Sequence, residues 1–405
     1  MRFVGVLPPV PSSAALLVCA QRPFQGTERT LCDYATEFSW PAQNSDLQGE
    51  PLKKLFFLFL AVFLYIGLSA FSFAEQPQGA TFQMLTPPID TWVNYALSAD
   101  GSVLAANVGG EIFRWTAADG YVDLGAGDPL NSSIGISADG TTITATIIGP
   151  DGLTNPGRWR ASTGWISLGH LAKGCQMDGN WGSGYSLNHD GSVVVGLAWY
   201  CPGAQGFRWT EGKGMAALSH PKGASSRASA ISADGSTIVG FYEHPKQGFR
   251  RAISWTPKGD LFTGVMTPGE ATAVSSDGSQ IVGQAVDASG FHAFYYTTAA
   301  GVISLGTVSG IPSDQSVANG VSEKGRVVGW SGDPFFGMPE AFIWSSSNPK
   351  ATMHSLAKFL KASGAVVPDG IHLTTALAIS ADGKTIVGTW VDNNFNQGNW
   401  IARTR

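Results

Sequence analysis

One six-residue pattern recurs seven times in this 405-residue chain, and it limits the fold more than any other feature. Ala-Leu-Ser-Ala-Asp-Gly ends at Gly101 and returns as Gly-Ile-Ser-Ala-Asp-Gly at Gly140 and Ser-Leu-Asn-His-Asp-Gly at Gly191. Ala-Ile-Ser-Ala-Asp-Gly closes at Gly235, Ala-Val-Ser-Ser-Asp-Gly at Gly278, Gly-Val-Ser-Glu-Lys-Gly at Gly325 and Ala-Ile-Ser-Ala-Asp-Gly at Gly383. The closing glycines lie 39, 51, 44, 43, 47 and 58 residues apart. A β-branched run closed by Gly follows most of them, at 193–196, 238–240, 281–283, 327–329 and 386–388. An aromatic run of the Phe-Arg-Trp kind comes next, at 113–115, 207–209 and 342–344, then a Gly-x-x-x-Leu-Gly run at 120–125, 164–169 and 301–306.

Four short β-type runs per unit, each bounded by turn residues, make one antiparallel sheet of four strands. One such sheet cannot bury both of its faces. Stacking the sheets radially does so, and the expected fold is all-β, a β-propeller of seven four-stranded blades. The last unit stops after 399–402 without a fourth strand, while 81–85 precede the first marker as a free β-type run. The ring is therefore expected to close with the N-terminal segment as outer strand of the last blade; an open solenoid is the alternative. Composition fits this reading. The 51 glycines count turns, and only 14% charged residues suit sheets stacked face against face. Thirteen Trp and 22 Phe exclude a disordered chain, and a net charge of −5 without a basic block argues against nucleic acid as a partner.

The first 74 residues belong to a different category. Lys53 and Lys54 precede an apolar run at 55–68 and a small-x-small end at Ser72 and Ala74, the pattern of a secretory signal cleaved between Ala74 and Glu75. An uncleaved anchor would use the same residues. A signal starting near residue 50 marks 1–50 as an extension from a start site placed too far upstream. The expected organisation is thus 1–50 extension, 51–74 signal peptide and 75–405 propeller. The product is expected to be secreted or periplasmic, with no membrane insertion after signal removal.

The series Ser-x-Asp-Gly, Val-Val-Gly, Ala-Phe-x-Trp and Gly-x-x-x-Leu-Gly resembles the HAF repeats of bacterial extracellular proteins. The name motif stands here as His292-Ala293-Phe294, with a near match at 341–344, and the resemblance covers roughly 80–405. It implies an extracellular repeat protein and no particular reaction.

The Asp-Gly pairs offer one carboxylate per unit, too few for a calcium loop. They read as hairpin turns in which Asp and Gly both accept a positive φ. A sialidase-type Asp box needs another spacing and a Trp that is missing. The seven His lie at no zinc-ligand spacing, and neither a nucleophile elbow, a zincin motif nor a P-loop occurs. No cofactor and no metal are expected. Residues 353–360, with Met353, Leu356, Phe359 and Leu360 apolar, read as one short helix packed on the last blades. Antiparallel alternation places the second and fourth connections of every unit, the variable ones, on one face. Cys175 and Cys201 fall there in neighbouring units, and in an oxidising compartment they are expected to form a disulfide. The same face gathers Trp181, Trp199, Tyr200, Glu243, His244, Trp330, Asp333, Phe335, Phe336, Trp390, Asp392 and Asn394, aromatic and polar groups suited to a glycan or protein ligand. A non-enzymatic binding protein is the first expectation. A polysaccharide-active enzyme, for which Asp178, Glu243, Asp287 and Asp333 would have to converge, and a structural matrix component are the alternatives.

Overall fold

The repeat folds into seven four-stranded antiparallel sheets, and in each the first strand of the unit stands at the axis. The computed structural model describes residues 79–88, 93–150, 152–171, 181–200, 203–261, 268–311, 313–333, 337–348, 350 and 352–405. They belong to one compact unit, Pro77–Arg405. The expected extension, signal peptide and cleavage point at Ala74 and Glu75 lie outside the described residues.

The axial strands are β2 (Val93–Leu97), β6 (Ile134–Ile136), β10 (Gly182–Leu187), β14 (Ser226–Ile231), β18 (Gly269–Val274), β22 (Gln315–Val321) and β26 (Ile371–Ile379). Each touches the next and β26 touches β2, so the chain forms a closed seven-bladed β-propeller. Blade seven takes its outer strand from the other end of the chain. Strand β1 (Thr81–Leu85) pairs with β28 (Gln397–Arg403) from Thr81 opposite Arg403 to Leu85 opposite Asn399, next to β27 (Thr385–Asp392). The expected closure is thus present, residue for residue.

The Ser-x-Asp-Gly marker is the turn between first and second strands. Ser98 Oγ accepts the Val103 N–H at 3.0 Å and donates to Asp100 Oδ1 at 2.7 Å, while Asp100 Oδ1 accepts the Ser102 N–H. Ser137, Ser232, Ser275 and Ser380 repeat the pattern with their own Asp. Asp and Gly do not both take the positive φ expected of the marker turn: among the described residues only Phe395 combines a side chain with positive φ, so the marker Asp is an acceptor and the glycine alone turns left-handed. Gly101, at φ +67°, also lies where a Cβ would come within 2.3 Å of Thr385 in blade seven. Turn geometry and blade spacing thus both demand glycine. Lys324 can replace Asp because Ser322 still accepts the Arg326 N–H.

These turns also bond to one another around the axis. Ala99 N–H donates to Ala138 O, Asp139 to His189, His189 to Ala233, Ala233 to Ser276, Glu323 to Ala381 and Asp382 back to Ala99, at 2.8–3.4 Å. Between blades five and six, Gln280 Nε2 donates to Glu323 O at 2.8 Å. The core lies between blades: Val282, Ala293 and Tyr295 of blade five pack with Val327, Phe342 and Trp344 of blade six. The expected helix is α1 (Leu356–Ala362), capped by Ser355, whose side chain accepts from Lys358 N–H; Leu356 and Leu360 are buried against blades six and seven.

Candidate functional site

Because every sheet is antiparallel with its first strand innermost, the marker turns share one face with the third-to-fourth hairpins. The longer connections share the opposite face, as the sequence implies. Most of the singled-out residues lie there, but scattered over several blades rather than in one cluster. In blade three Trp199 donates its N–H to Trp181 O at 2.7 Å, and both side chains are about half exposed (51% and 55%). Tyr200 ends that strand. Cys175, Cys201, Asp178, Phe335 and Phe336 lie outside the described residues.

Several others are occupied by local structure. Glu243 lies 3.9 Å from the Arg250 guanidinium. His244 stacks on Phe249 and accepts the Lys246 N–H. Trp330 is paired within blade six between Val317 and Ala341 and is half-buried, as is Asp333 at the end of that strand. Asp392 organises its own turn, accepting the N–H groups of Asn394 and Asn396 and the Asn396 side-chain amide. Those bonds, the side-chain one first, hold its carboxyl below the usual range.

Two polar clusters were not legible in the sequence. Glu270, almost buried, accepts from Arg250 at 2.6 Å and Arg227 at 3.4 Å, and both guanidiniums lie over the Phe241 ring. Two cations and two carboxylates, with Glu243, balance there; the cluster ties blades four and five. In blade five Asp287 Oδ2 accepts from His292 Nδ1 at 2.7 Å and Ser304 Oγ at 2.6 Å, while Oδ1 takes the Ser289 and Gly290 N–H groups. Burial alone would raise this carboxyl; the hydrogen bonds from Ser304, His292 and Ser289 outweigh it and bring it to about 2. The serine hydroxyl points at Asp287, not at the imidazole, so it is not activated as a nucleophile. Glu243 and Asp287 are thus engaged within their own blades or with a neighbour. Among the described residues no group of three or more His, Cys, Asp or Glu is placed to hold a metal ion, and no helix is long and apolar enough to cross a membrane.

Among the described residues a cleft of about 930 Å³ opens over the variable-face end of blade seven. Leu85, Thr86 and Pro87 leave the closing strand on one side, and Met338 and Pro339 of blade six stand on the other. Thr374, Thr375, Thr389, Trp390, Gln397 and Asn399 line it between them. Trp390 is opposite Gly398 in the ladder, its indole lies across that glycine, and its Nε1 donates to Asn399 O at 3.1 Å. Phe395 stands at the rim, 72% exposed, with φ +65° in a turn position that Gly or Asn would take without strain. Of the cleft residues the sequence had named only Trp390; an aromatic inside the Asn-rich loop 392–397 was the available signal for Phe395.

No family model matches the chain, and no curated protein matches it. Among solved structures, TolB from Acinetobacter baumannii aligns at 14% identity and TM-score 0.40 over 52% of this chain, and the chain spans 53% of that protein's length. The β-propeller domain of the Trilobed protease from Pyrococcus furiosus, described as having an open velcro topology, aligns at 11% identity and TM-score 0.48 over 80% and 95% of the two chains. Kuenenia stuttgartiensis hydrazine synthase aligns at 14% identity and TM-score 0.46 over 80% and 99%.

Proposed function

We propose that this protein is an exported, non-enzymatic β-propeller of the HAF-repeat kind that binds a glycan or protein ligand through its variable-loop face. The observation that carries the reading is the cleft over blade seven. It is concave, mixes aromatic with neutral polar side chains, and keeps an aromatic exposed on strained backbone at its rim. Strain of that kind persists where the surrounding structure holds it and clusters at ligand sites. Two of the four carboxylates an enzyme would need to bring together are held locally instead, Asp287 by His292 and Ser304 and Glu243 near Arg250. A Cys175–Cys201 bridge would staple the same face; mass mapping of unreduced peptides is expected to recover the two joined.

The test compares the two faces. A glycan array and a displayed peptide library are probed with the wild-type protein, with Trp199→Ala and Phe395→Ala on the variable face, and with Lys213→Ala and Lys258→Ala in marker-face hairpins. At least one variable-face change is expected to lower binding tenfold, with both controls unchanged. Binding sensitive only to the lysine changes, or cleavage of an arrayed glycan, would overturn the reading.

A further inference from the structure

Resting on that binding reading, we infer that the cleft over blade seven is a saccharide site for an uncharged glycan, with a sugar ring lying on the Trp390 indole. None of the described lining residues carries an ionisable side chain, so a carboxylate, sulfate or ammonium group of a ligand would lose water there without gaining a counter-charge. Threonine hydroxyls and the Gln397 and Asn399 amides offer neutral donors and acceptors instead, the complement of a hydroxyl-rich ligand.

Trp390 is held in a single posture. Its cross-strand neighbour is glycine, and the indole occupies the room a Cβ would need, within 2.4 Å of that position. Its only donor is spent on the Asn399 carbonyl. Half-buried against the core of blades six and seven, the indole is held in one orientation, and the part that lines the cleft offers a ligand only apolar ring surface. Such a surface suits the C–H-bearing face of a pyranose, and pre-orientation removes the ordering cost of binding. At about 930 Å³ the cleft falls in the range of roughly 300–1,000 Å³ that holds small ligands. A stable protein partner needs about 800 Å² on each side. The strands that line the cleft are paired with one another, Thr375 with Thr389, Trp390 with Gly398 and Leu85 with Asn399. A peptide seeking main-chain bonds would have to add along the outer edge of β1, the end strand of that sheet, and gains none from the paired strands within the cleft.

Phe395 supplies the discriminating experiment. In the left-handed region glycine is free of strain, so Phe395→Gly should raise Tm by about 2 °C while weakening the ligand severalfold. The full chain, Trp390→Ala, Phe395→Gly and Trp199→Ala would be compared on an array carrying neutral, sialylated and sulfated oligosaccharides and against the displayed peptide library, with circular dichroism confirming each fold. The expected result is capture of neutral oligosaccharides, a loss of tenfold or more for Trp390→Ala, a severalfold loss for the better-folded Phe395→Gly, and no change for Trp199→Ala. Preference for acidic glycans would overturn the inference. So would neutral-glycan binding lost in Trp199→Ala but kept in Trp390→Ala and Phe395→Gly, although the variable-face reading would survive it. Capture of displayed peptides instead of any glycan would likewise remove the saccharide and leave the face. Binding to neither kind of ligand would take both readings down together.

Discussion

Gly388 and Trp400 face each other across two strands of blade seven, and the pair explains two letters of the repeat at once. A Cβ on Gly388 would come within 2.0 Å of the Thr375 carbonyl and 2.6 Å of the Trp400 ring. The axial strand is bulged there, between Ala376 and Ala378, which brings the Thr375 carbonyl in. Gly329 meets Val317 O and Phe342 in the same way in blade six, and Gly283 meets Glu270 O and Phe294 in blade five. The β-branched run therefore ends in glycine where the axial strand is bulged and its carbonyl turns in, as it does again at Gly240 against Arg227 O; blade one, whose first two strands pair without a bulge, keeps Ala106 opposite Phe113. Gly388→Ala is expected to cost about 3 kcal/mol, read as a lower midpoint in urea with unchanged slope, since neither obstructing group can move freely. Asp287 gives a pH prediction. Its folded carboxyl sits at about 2, below the ordinary aspartate range, so its stabilisation is complete above pH ~4 and is lost as pH falls towards 2. Asp287→Asn should destabilise at pH 7, and the gap to wild type should narrow across that window in a series of denaturation curves.

At the scale of the element, the marker turn is a small hydrogen-bonded module rather than a tight two-residue hairpin. One serine hydroxyl both accepts a main-chain N–H and orients the Asp, and the Asp accepts the N–H of the residue after the glycine. Ser232 is fully buried, so Ser232→Ala leaves the Thr237 N–H without its acceptor and should cost about 1–3 kcal/mol. A smaller loss in chemical denaturation would mean that water replaces the hydroxyl. The sequence pattern disclosed the module because its parts are adjacent in the chain. The Arg227–Glu270–Arg250 cluster stayed hidden because its members come from three strands of two blades, and nothing local marks them as neighbours.

For the whole molecule, the decisive contact joins residues more than 300 positions apart, where β1 closes the last blade. Phe82 stacks on Trp400 at 6.0 Å and Leu85 is buried among residues of blades one and seven. Removing residues 79–85 would uncover that core and is expected to lower the melting temperature by about 10 °C or more; an unchanged Tm would mean the ring holds without its closing strand. Seven units, four strands each, the borrowed outer strand and the face of the variable loops were all determined by the sequence alone, because hydrophobic period and turn chemistry are local and the repeat states them seven times. Which loop residues form a site was decided only by the tertiary structure. Blade order brings Thr86, Pro339, Trp390 and Gln397 to one cleft from the N-terminal connection, blade six and blade seven, and it leaves Trp330, Asp392 and Glu243 to their own local partners. A recognition site is a coincidence of distant segments in space, and such a coincidence exists only once the ring has closed.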